Sequence, residues 1–146
     1  MIRAFNTSDK PAIFRIFMLN TPDYFAVEEK KDFEAFLDEH AKTYFVVEEN
    51  NKIVGCGGYH FEERKTEGRI SWDLFHPDYR GKGFGRQLVS HCLEAIRKES
   101  AVKKISVWTS QLAFQFYERF GFKTKEIKKD YWGKGLDLYR MEMDRN

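Results

Sequence analysis

Hydrophobic positions along the chain switch between helical spacing and short apolar runs, and these two patterns predict the order of the elements. Capping residues or helical spacing predict helices up to Leu19, over 33–41, over 88–96 and over 111–120. Runs rich in β-branched and aromatic residues predict seven strands, at 2–5, 44–47, 53–59, 69–75, 104–108, 122–128 and 136–143.

The order of these elements predicts a sheet with one parallel connection. A strand, helix, strand and helix inside an otherwise antiparallel series give a mixed sheet with helices packed against it. The 146 residues, 42% hydrophobic and 33% charged, fit a single domain over 1–146. Without a signal peptide or an apolar run near 18 residues, we expect a cytoplasmic protein with no membrane partner.

A glycine-rich turn, residues 80–86, follows the predicted strand 69–75 and leads into a helix. Three glycines stand at alternate positions: Gly81, Gly83 and Gly85. Because glycine has no Cβ and tolerates positive φ, their N–H groups and the first turn of the helix can bind a phosphate or pyrophosphate. Three cations add positive charge there: Arg80, Lys82 and Arg86.

Other glycine turns fit this segment less well. A P-loop needs Ser or Thr directly after Gly-Lys to hold magnesium, whereas Gly83 follows Lys82. A dinucleotide-binding turn has the spacing Gly-x-Gly-x-x-Gly, and the spacing here is Gly-x-Gly-x-Gly. A turn that merely reverses the chain is the remaining alternative, and the three flanking cations disfavour it.

Two segments resemble the signatures of the GNAT N-acetyltransferase superfamily. Residues 80–85, Arg-Gly-Lys-Gly-Phe-Gly, are similar to the family's acyl-CoA motif, Arg/Gln-x-x-Gly-x-Gly/Ala. Residues 113–122, Ala-Phe-Gln-Phe-Tyr-Glu-Arg-Phe-Gly-Phe, resemble its second signature, Ala-x-x-Phe-Tyr-x-x-x-Gly-Phe. The resemblance implies an α+β (α/β) fold, with a mixed, mostly antiparallel central sheet of about seven strands and about four helices packed on both faces. It also implies an acyltransferase that moves an acetyl group from acetyl-CoA directly to an amine.

The resemblance implies a site for acetyl-CoA as co-substrate. The pyrophosphate would lie on the amides of residues 81–86, and the pantetheine arm would pair along residues 74–76, in a splay beside the strand at 105–108. A main-chain N–H near Phe75 would polarise the thioester carbonyl. The residues expected to bind the co-substrate are Leu74, Phe75, His76, Arg80, Gly81, Lys82, Gly83, Phe84, Gly85, Arg86, Ser110, Ala113, Phe114 and Tyr117. Ser110 stands where the family often has Asn, and it would serve either as a pantetheine partner or only as a cap.

The resemblance implies two catalytic residues. Tyr117 matches the tyrosine that donates a proton or hydrogen bond to the departing thiolate, since phenol and thiol pKa values lie within about two units. Its alternative is a tyrosine that packs on the sheet with its hydroxyl in water. Asp73, which interrupts an apolar strand, is the candidate general base. Glu67 is a second candidate at the same strand parity, and a water wire is the third alternative. The alternative for Asp73 is a carboxylate bonded to Arg69 or to a neighbouring strand.

The acceptor is less defined by the sequence than the donor. In the family, the link between the first two helices borders the acceptor site, so four residues would select an amine: Tyr24, Phe25, Glu28 and Glu29. The acidic residues there favour a small amine or polyamine. A protein N-terminus or lysine is the alternative acceptor, and a non-catalytic acyl-CoA-binding sensor domain is an alternative of another class.

Composition argues against several other functions. A net charge of +2 is too small for a typical nucleic-acid surface, which leaves only the cations of the glycine turn for such a role. Cys56 and Cys92 lie in apolar segments, which predicts two buried thiols rather than a disulfide. The four histidines show no ligand spacing, so we expect no metal. Aromatic residues in the last strands are consistent with a homodimer.

Overall fold

The computed structural model describes residues 1–146 as seven strands and four α-helices. The strands are β1 (Ile2–Ala4), β2 (Tyr44–Glu49), β3 (Lys52–Glu62), β4 (Glu67–Phe75), β5 (Lys104–Thr109), β6 (Lys123–Gly133) and β7 (Leu136–Asp144). The helices are α1 (Lys10–Leu19), α2 (Lys30–His40), α3 (Phe84–Arg97) and α4 (Phe114–Glu118). None of these helices has the length and hydrophobicity needed to cross a bilayer.

All seven strands form one sheet in the order β1-β2-β3-β4-β5-β7-β6. Neighbouring strands are antiparallel except β4 and β5, which α3 connects as a parallel pair. This arrangement confirms the predicted mixed, mostly antiparallel sheet.

Each face of the sheet carries its own hydrophobic core. Helices α1 and α2 pack on one face around Phe17, Phe33 and Tyr44. On the other face α3 buries the residues predicted from its helical spacing: Leu88, Val89, Cys92, Leu93 and Ile96. Burial of each such aliphatic side chain is worth roughly 1.5–3 kcal/mol. The helices therefore cover both faces, as predicted.

A bulge in β4 changes which residues share a face. Trp72 has a positive φ of 57°, and the pairing of β4 with β3 shifts register between Cys56 and Gly58. As a result Trp72 packs against the α1/α2 core, while Asp73 lies on the α3 side. Glu67 and Asp73 are on opposite faces, so the expectation that they share strand parity is wrong.

The parallel pair β4 and β5 separates partway along its length. Pairing runs from Glu67 with Lys104 to Ile70 with Val107 and then stops, although β4 continues to Phe75 and β5 to Thr109. The gap that results is the splay expected between these two strands.

Of the element boundaries that differ from the prediction, those of α4 and β6 have a local cause. Helix α4 is shorter than 111–120, because Ser110 holds residues 111–113 in a turn. The Ser110 hydroxyl accepts the Leu112 N–H at 3.2 Å, and the Ser110 carbonyl accepts the Phe114 N–H at 3.0 Å. Strand β6 extends to Gly133, beyond the predicted 128, and the β6–β7 turn closes at Gly135, where φ is +80°.

Candidate active site

The gap between β4 and β5 opens into a cavity of about 690 Å³ that reaches both faces of the sheet. We call the part beside the glycine turn and α4 the α3-side half. Its lining includes Phe75, Gly83, Gly85, Phe116 and Tyr117. The part beside the link between α1 and α2 is the α1-side half. Its lining includes Tyr24, Phe25, Glu29, Trp72 and Trp108.

The glycine turn offers unpaired backbone donors to the α3-side half. Gly81 and Gly83 have φ values of +76° and +88°, and a Cβ added to either would meet no atom within 4 Å. The amide groups of residues 81–86 donate to no acceptor in the protein, and helix α3 begins after Gly83 without a side-chain cap. Unpaired amides at the positive end of a helix dipole form an anion site. These residues therefore fit the pyrophosphate of a CoA thioester.

Arg80 is held toward the α1-side half. Its guanidinium carbon lies 4.2 Å from the centre of the Tyr24 ring, and the guanidinium donates a hydrogen bond to the side chain of Asn20. Asn20 is buried, and its amide group donates to the carbonyls of Ile16 (2.7 Å) and Phe75 (3.0 Å). These contacts fix the position of the Arg80 guanidinium.

The backbone of Phe75 faces the gap. The N–H of His76 donates to the Val54 carbonyl of β3 at 2.8 Å. Since successive residues of a strand point their backbone groups to opposite sides, the N–H of Phe75 is directed away from β3, toward the gap. This orientation is the one expected of a donor to a thioester carbonyl.

Three residues expected at the co-substrate site lie outside the cavity lining, namely His76, Lys82 and Phe114. The ring of His76 accepts the Asp78 N–H and so caps a short turn. The side chain of Lys82 is exposed, with its Nζ 5.3 Å from the Tyr79 ring centre. Phe114 stacks on Tyr139 of β7 with ring centroids 4.5 Å apart. The other expected residues line the cavity: Leu74, Phe75, Arg80, Gly81, Gly83, Phe84, Gly85, Arg86, Ser110, Ala113 and Tyr117.

Tyr117 and Asp73 form a buried hydrogen-bonded pair. The Tyr117 hydroxyl donates to Asp73 Oδ2 at 2.8 Å. Tyr117 is buried, so its hydroxyl does not extend into water as the alternative required. Part of Asp73 reaches the cavity surface, but its carboxylate is buried and its Oδ1 has no partner. Burial raises the pKa of Asp73 to about 7 against a smaller opposing effect of the Tyr117 hydrogen bond. Burial and the neighbouring Asp73 raise the pKa of Tyr117 well above its ordinary value.

Glu67 has a structural role instead. Its carboxylate pairs with Arg69 at 3.0 Å and Lys104 at 3.6 Å, and it accepts the Ser106 hydroxyl. Although burial opposes the change, these partners together lower its pKa. The ion pair with Arg69 that was the alternative for Asp73 is therefore made by Glu67.

The α1-side half is aromatic and contains one buried carboxyl group. Glu29 is 7% exposed, and its Oε2 accepts the Ala26 N–H at 2.8 Å. Burial, together with the charges of Asp32 and Glu28, raises the pKa of Glu29 to about 7. No cationic side chain forms an ion pair with it.

Three aromatic residues that line the α1-side half were not predicted from the sequence: Trp72, Trp108 and Trp132. The bulge in β4 turns Trp72 toward this half, and the alternation of a regular strand does not predict that orientation. The guanidinium carbon of Arg69 lies 4.4 Å from the centre of the Trp108 ring. The ring N–H of Trp132 donates to the Thr109 carbonyl at 3.0 Å. Of the four residues expected at the acceptor site, Tyr24, Phe25 and Glu29 line the cavity and Glu28 does not. No group of three metal-ligating side chains comes together in the structure.

Two solved structures share this fold at low sequence identity. Ard1 from Thermoplasma volcanium superposes with a TM-score of 0.84 at 20% identity, covering 99% of this chain and 96% of that one. An aminoglycoside 6'-N-acetyltransferase solved with coenzyme A gives a TM-score of 0.80 at 13% identity, covering 100% of this chain and 97% of that one. At these identities the likeness concerns the fold.

Sequence comparison gives the family. An uncharacterised N-acetyltransferase of Methanocaldococcus jannaschii is 30% identical over 96 residues, which are 60% of this chain and 42% of that protein. A UPF0039 protein of Schizosaccharomyces pombe is 30% identical over 96% of this chain and 93% of its own length. An N-alpha-acetyltransferase of Sulfurisphaera tokodaii is 27% identical over 84% of this chain and 77% of its own. The model of the acetyltransferase (GNAT) family matches residues 11–122. The chain belongs to this family of acyltransferase enzymes.

Proposed function

We propose that this protein moves the acetyl group of acetyl-CoA directly to a primary amine of a small acceptor that carries a second positive charge, as a polyamine does. One observation carries the proposal: a single cavity through the sheet joins unpaired backbone amides on its α3 side to a buried carboxyl group without a counter-charge on its α1 side.

The α3-side half would hold the donor. The amides of residues 81–86 bind its pyrophosphate, and the Phe75 N–H donates to the thioester carbonyl, where negative charge develops during attack. Acetyl-CoA supplies the activated acetyl group. Removing a donor of the Phe75 type costs about 3 kcal/mol of transition-state stabilisation in other acyl-transfer enzymes. Tyr117 stands in the same half as the proton donor to the departing sulfur.

The α1-side half would select the acceptor. An ionised Glu29 without a cation is costly in a buried setting, and an ammonium group removes that cost. The aromatic side chains that line this half offer further contacts to a cation. The reacting amine has to be neutral, so the ammonium that pairs with Glu29 is a second one. A diamine or polyamine satisfies both requirements.

Asp73 does not serve as the general base in this proposal. Its carboxylate is buried on the α3 side and bonded to Tyr117, and its free oxygen has no access to an amine in the α1-side half. The proton of the reacting ammonium leaves to water in the cavity.

A second candidate is acetylation of a protein N-terminus, which the similarity to the Sulfurisphaera tokodaii N-alpha-acetyltransferase favours. A panel of acceptors separates the two functions: a polyamine, a monoamine of equal length, and peptides with a free N-terminus, with thiol release as the readout. We expect the highest kcat/KM for the polyamine. A higher value for any peptide would replace the first proposal by the second.

Glu29 provides a matched test inside the chain. In Glu29→Gln the amide oxygen still accepts the Ala26 N–H, but the negative charge is lost. We expect the KM for the polyamine to rise about 10–100-fold, the loss of a charge-assisted contact, with the KM for acetyl-CoA unchanged. Glu28→Gln, one residue away and outside the cavity lining, is the control and should change neither constant. Equal effects of the two variants would show that Glu29 only holds the turn that precedes α2.

A further inference from the structure

We propose that Asp73 is a positioning residue that acts through Tyr117: its neutral carboxyl group donates a proton to the Tyr117 oxygen while Tyr117 protonates the departing thiolate of CoA. This inference rests on the proposed acetyl transfer and gives Asp73 a role different from that of a general base for the amine.

The surroundings of Asp73 favour its neutral form. Ionisable groups of four elements lie close enough to Asp73 for its charge to raise their pKa values, and all are uncharged when protonated: Tyr44 of β2, Cys56 of β3, Cys92 of α3 and Tyr117 of α4. No cation pairs with Asp73, and its Oδ1 is buried without a partner. A buried carboxylate with one hydrogen bond and no counter-charge is strongly disfavoured, whereas a carboxylic acid is tolerated.

The backbone of β3 makes room for this carboxyl group. A Cβ added to Gly57 would overlap Asp73 Oδ1 and approach the side chain of Leu88. The carboxyl group is thus enclosed between β3 and α3, and its remaining contact is the hydroxyl of Tyr117 at 2.8 Å. Asp73 can exchange a proton directly with Tyr117, and Tyr117 lines the cavity where the sulfur would leave.

The protonation state of Asp73 decides what Tyr117 can do. When Asp73 is ionised, the Tyr117 hydroxyl donates its hydrogen bond to Asp73. Loss of that proton to sulfur would leave two negative charges side by side in a buried site. When Asp73 is neutral, its O–H donates to the Tyr117 oxygen, and the phenolic O–H is free to point at sulfur. Burial raises the pKa of Asp73 to about 7, so both states are populated near neutral pH.

The proton balance of the step is as follows. The C–S bond breaks and its electron pair goes to sulfur, which takes the proton of Tyr117, while Tyr117 takes the proton of Asp73. Tyr117 ends unchanged and Asp73 ends ionised. The proton that the neutral amine loses on acylation goes to water, and Asp73 regains a proton from solvent before the next turnover, so this step gains and loses no proton overall. The one proton released per turnover is the one that the ammonium gives up before it attacks.

Single-turnover rates as a function of pH test this step, because they are free of product release. The variants are Asp73→Asn, Tyr117→Phe and the double variant, with Asp38→Asn on the exposed face of α2 as control. We expect Asp73→Asn to be roughly 10–100-fold slower than wild type at about pH 6, since the amide can hold Tyr117 but cannot supply the proton. The ratio of the two rates, in which ionisation of the amine cancels, should fall toward 1 above a midpoint near pH 7.

The remaining variants distinguish a shared step from separate ones. If Asp73 acts through Tyr117, the double variant is no slower than the slower single variant. Rate losses that multiply, or a ratio that does not change with pH, would overturn the inference. Asp38→Asn should follow wild type at every pH.

A second measurement needs neither activity nor a stable variant. The ¹³C resonance of the Asp73 carboxyl group in the wild-type protein should titrate with a midpoint near 7, and a midpoint near the ordinary value of about 4 would overturn the inference. Absence of thiol release from the wild type with every amine would overturn the proposed function and this step with it. Normal release together with an unchanged Asp73→Asn rate would overturn the present inference alone.

Discussion

The two halves of the cavity are built by different means. The α3-side half relies on backbone groups from one contiguous stretch, residues 81–86, whose amides have no partner in the protein. The α1-side half relies on side chains from separate segments, including the α1–α2 link, the β4 bulge and β5. Backbone amides can bind the phosphate of the co-substrate whichever acceptor is used. The side chains of the α1-side half can change without altering those amides. In the proposed function, donor and acceptor recognition are therefore physically separable.

Each half also contains one buried carboxyl group whose pKa is raised to about 7, but their surroundings differ. Asp73 is enclosed by β3 and α3 and bonded to a tyrosine, which suits the storage of a proton. Glu29 is bonded to the Ala26 amide and lines the cavity, which suits the pairing of a cation. The same shift in pKa accompanies two different roles because one group is closed off and the other faces a ligand.

The largest effect is expected from Gly83→Val, which should abolish binding of acetyl-CoA, lowering its affinity by more than about a hundredfold. A β-branched side chain would occupy the open space above the amides and disfavour the φ of +88° at which α3 begins. Isothermal titration with acetyl-CoA measures the loss.

Gly135→Val is the matched control for strain. Gly135 has a similar φ of +80° and the same open surroundings, but it lies in the β6–β7 turn and outside the cavity lining. We expect comparable loss of stability in the two variants and wild-type affinity in Gly135→Val. If both variants bind acetyl-CoA equally, the glycine turn is not the donor site.

The next effect is on stability and compares the two carboxyl groups. Because the pKa of Asp73 is raised from 3.8 to about 7 on folding, the native state binds its proton more tightly. Stability from this group is present below about pH 4 and is lost as pH rises to about 7, by at most about 4 kcal/mol. Asp73→Asn should therefore unfold at a higher temperature than wild type at about pH 8 and at a similar temperature near pH 4.

Glu29→Gln should also unfold at a higher temperature than wild type as pH rises. The difference should be smaller than for Asp73→Asn, since Glu29 is less completely enclosed than Asp73. Thermal unfolding of the three proteins at several pH values measures both slopes. A wild type whose stability rises between about pH 4 and 7, with both variants following it, would mean that neither carboxyl group is held in its neutral form.

What could be predicted from the sequence follows the same division. The element order and the parallel pair depend on local patterns and connection rules, and the splay was expected from the family resemblance. The structure confirms all three. The place of Trp72 in the α1-side half could not be predicted, because its positive φ breaks the alternation that assigns strand residues to faces. The same bulge separated Glu67 from Asp73. The partner of Tyr117 was also out of reach, since it lies 44 positions away in the chain.

The smallest effect concerns Arg80, the residue at which the two halves meet. Its backbone belongs to the glycine turn, while its guanidinium stacks on Tyr24 and donates to Asn20 at the end of α1. Arg80→Ala should weaken acetyl-CoA binding by a few-fold to tens-fold, as expected for a charge-assisted contact. It should also raise the KM of the amine, because Tyr24 loses the group against which it packs in the α1-side half.

Two further variants separate charge from position. Arg80→Lys keeps the charge but not the planar group that stacks on a ring. Its acetyl-CoA affinity should therefore be close to that of wild type, while its KM for the amine should stay raised. Lys82→Ala removes an exposed cation of the same turn, and its smaller effect on acetyl-CoA should disappear at high salt. Steady-state constants for both substrates at two salt concentrations measure these differences. If Arg80→Ala changes the acetyl-CoA constant alone, Arg80 serves the donor only, and the two halves of the cavity are independent at their point of contact.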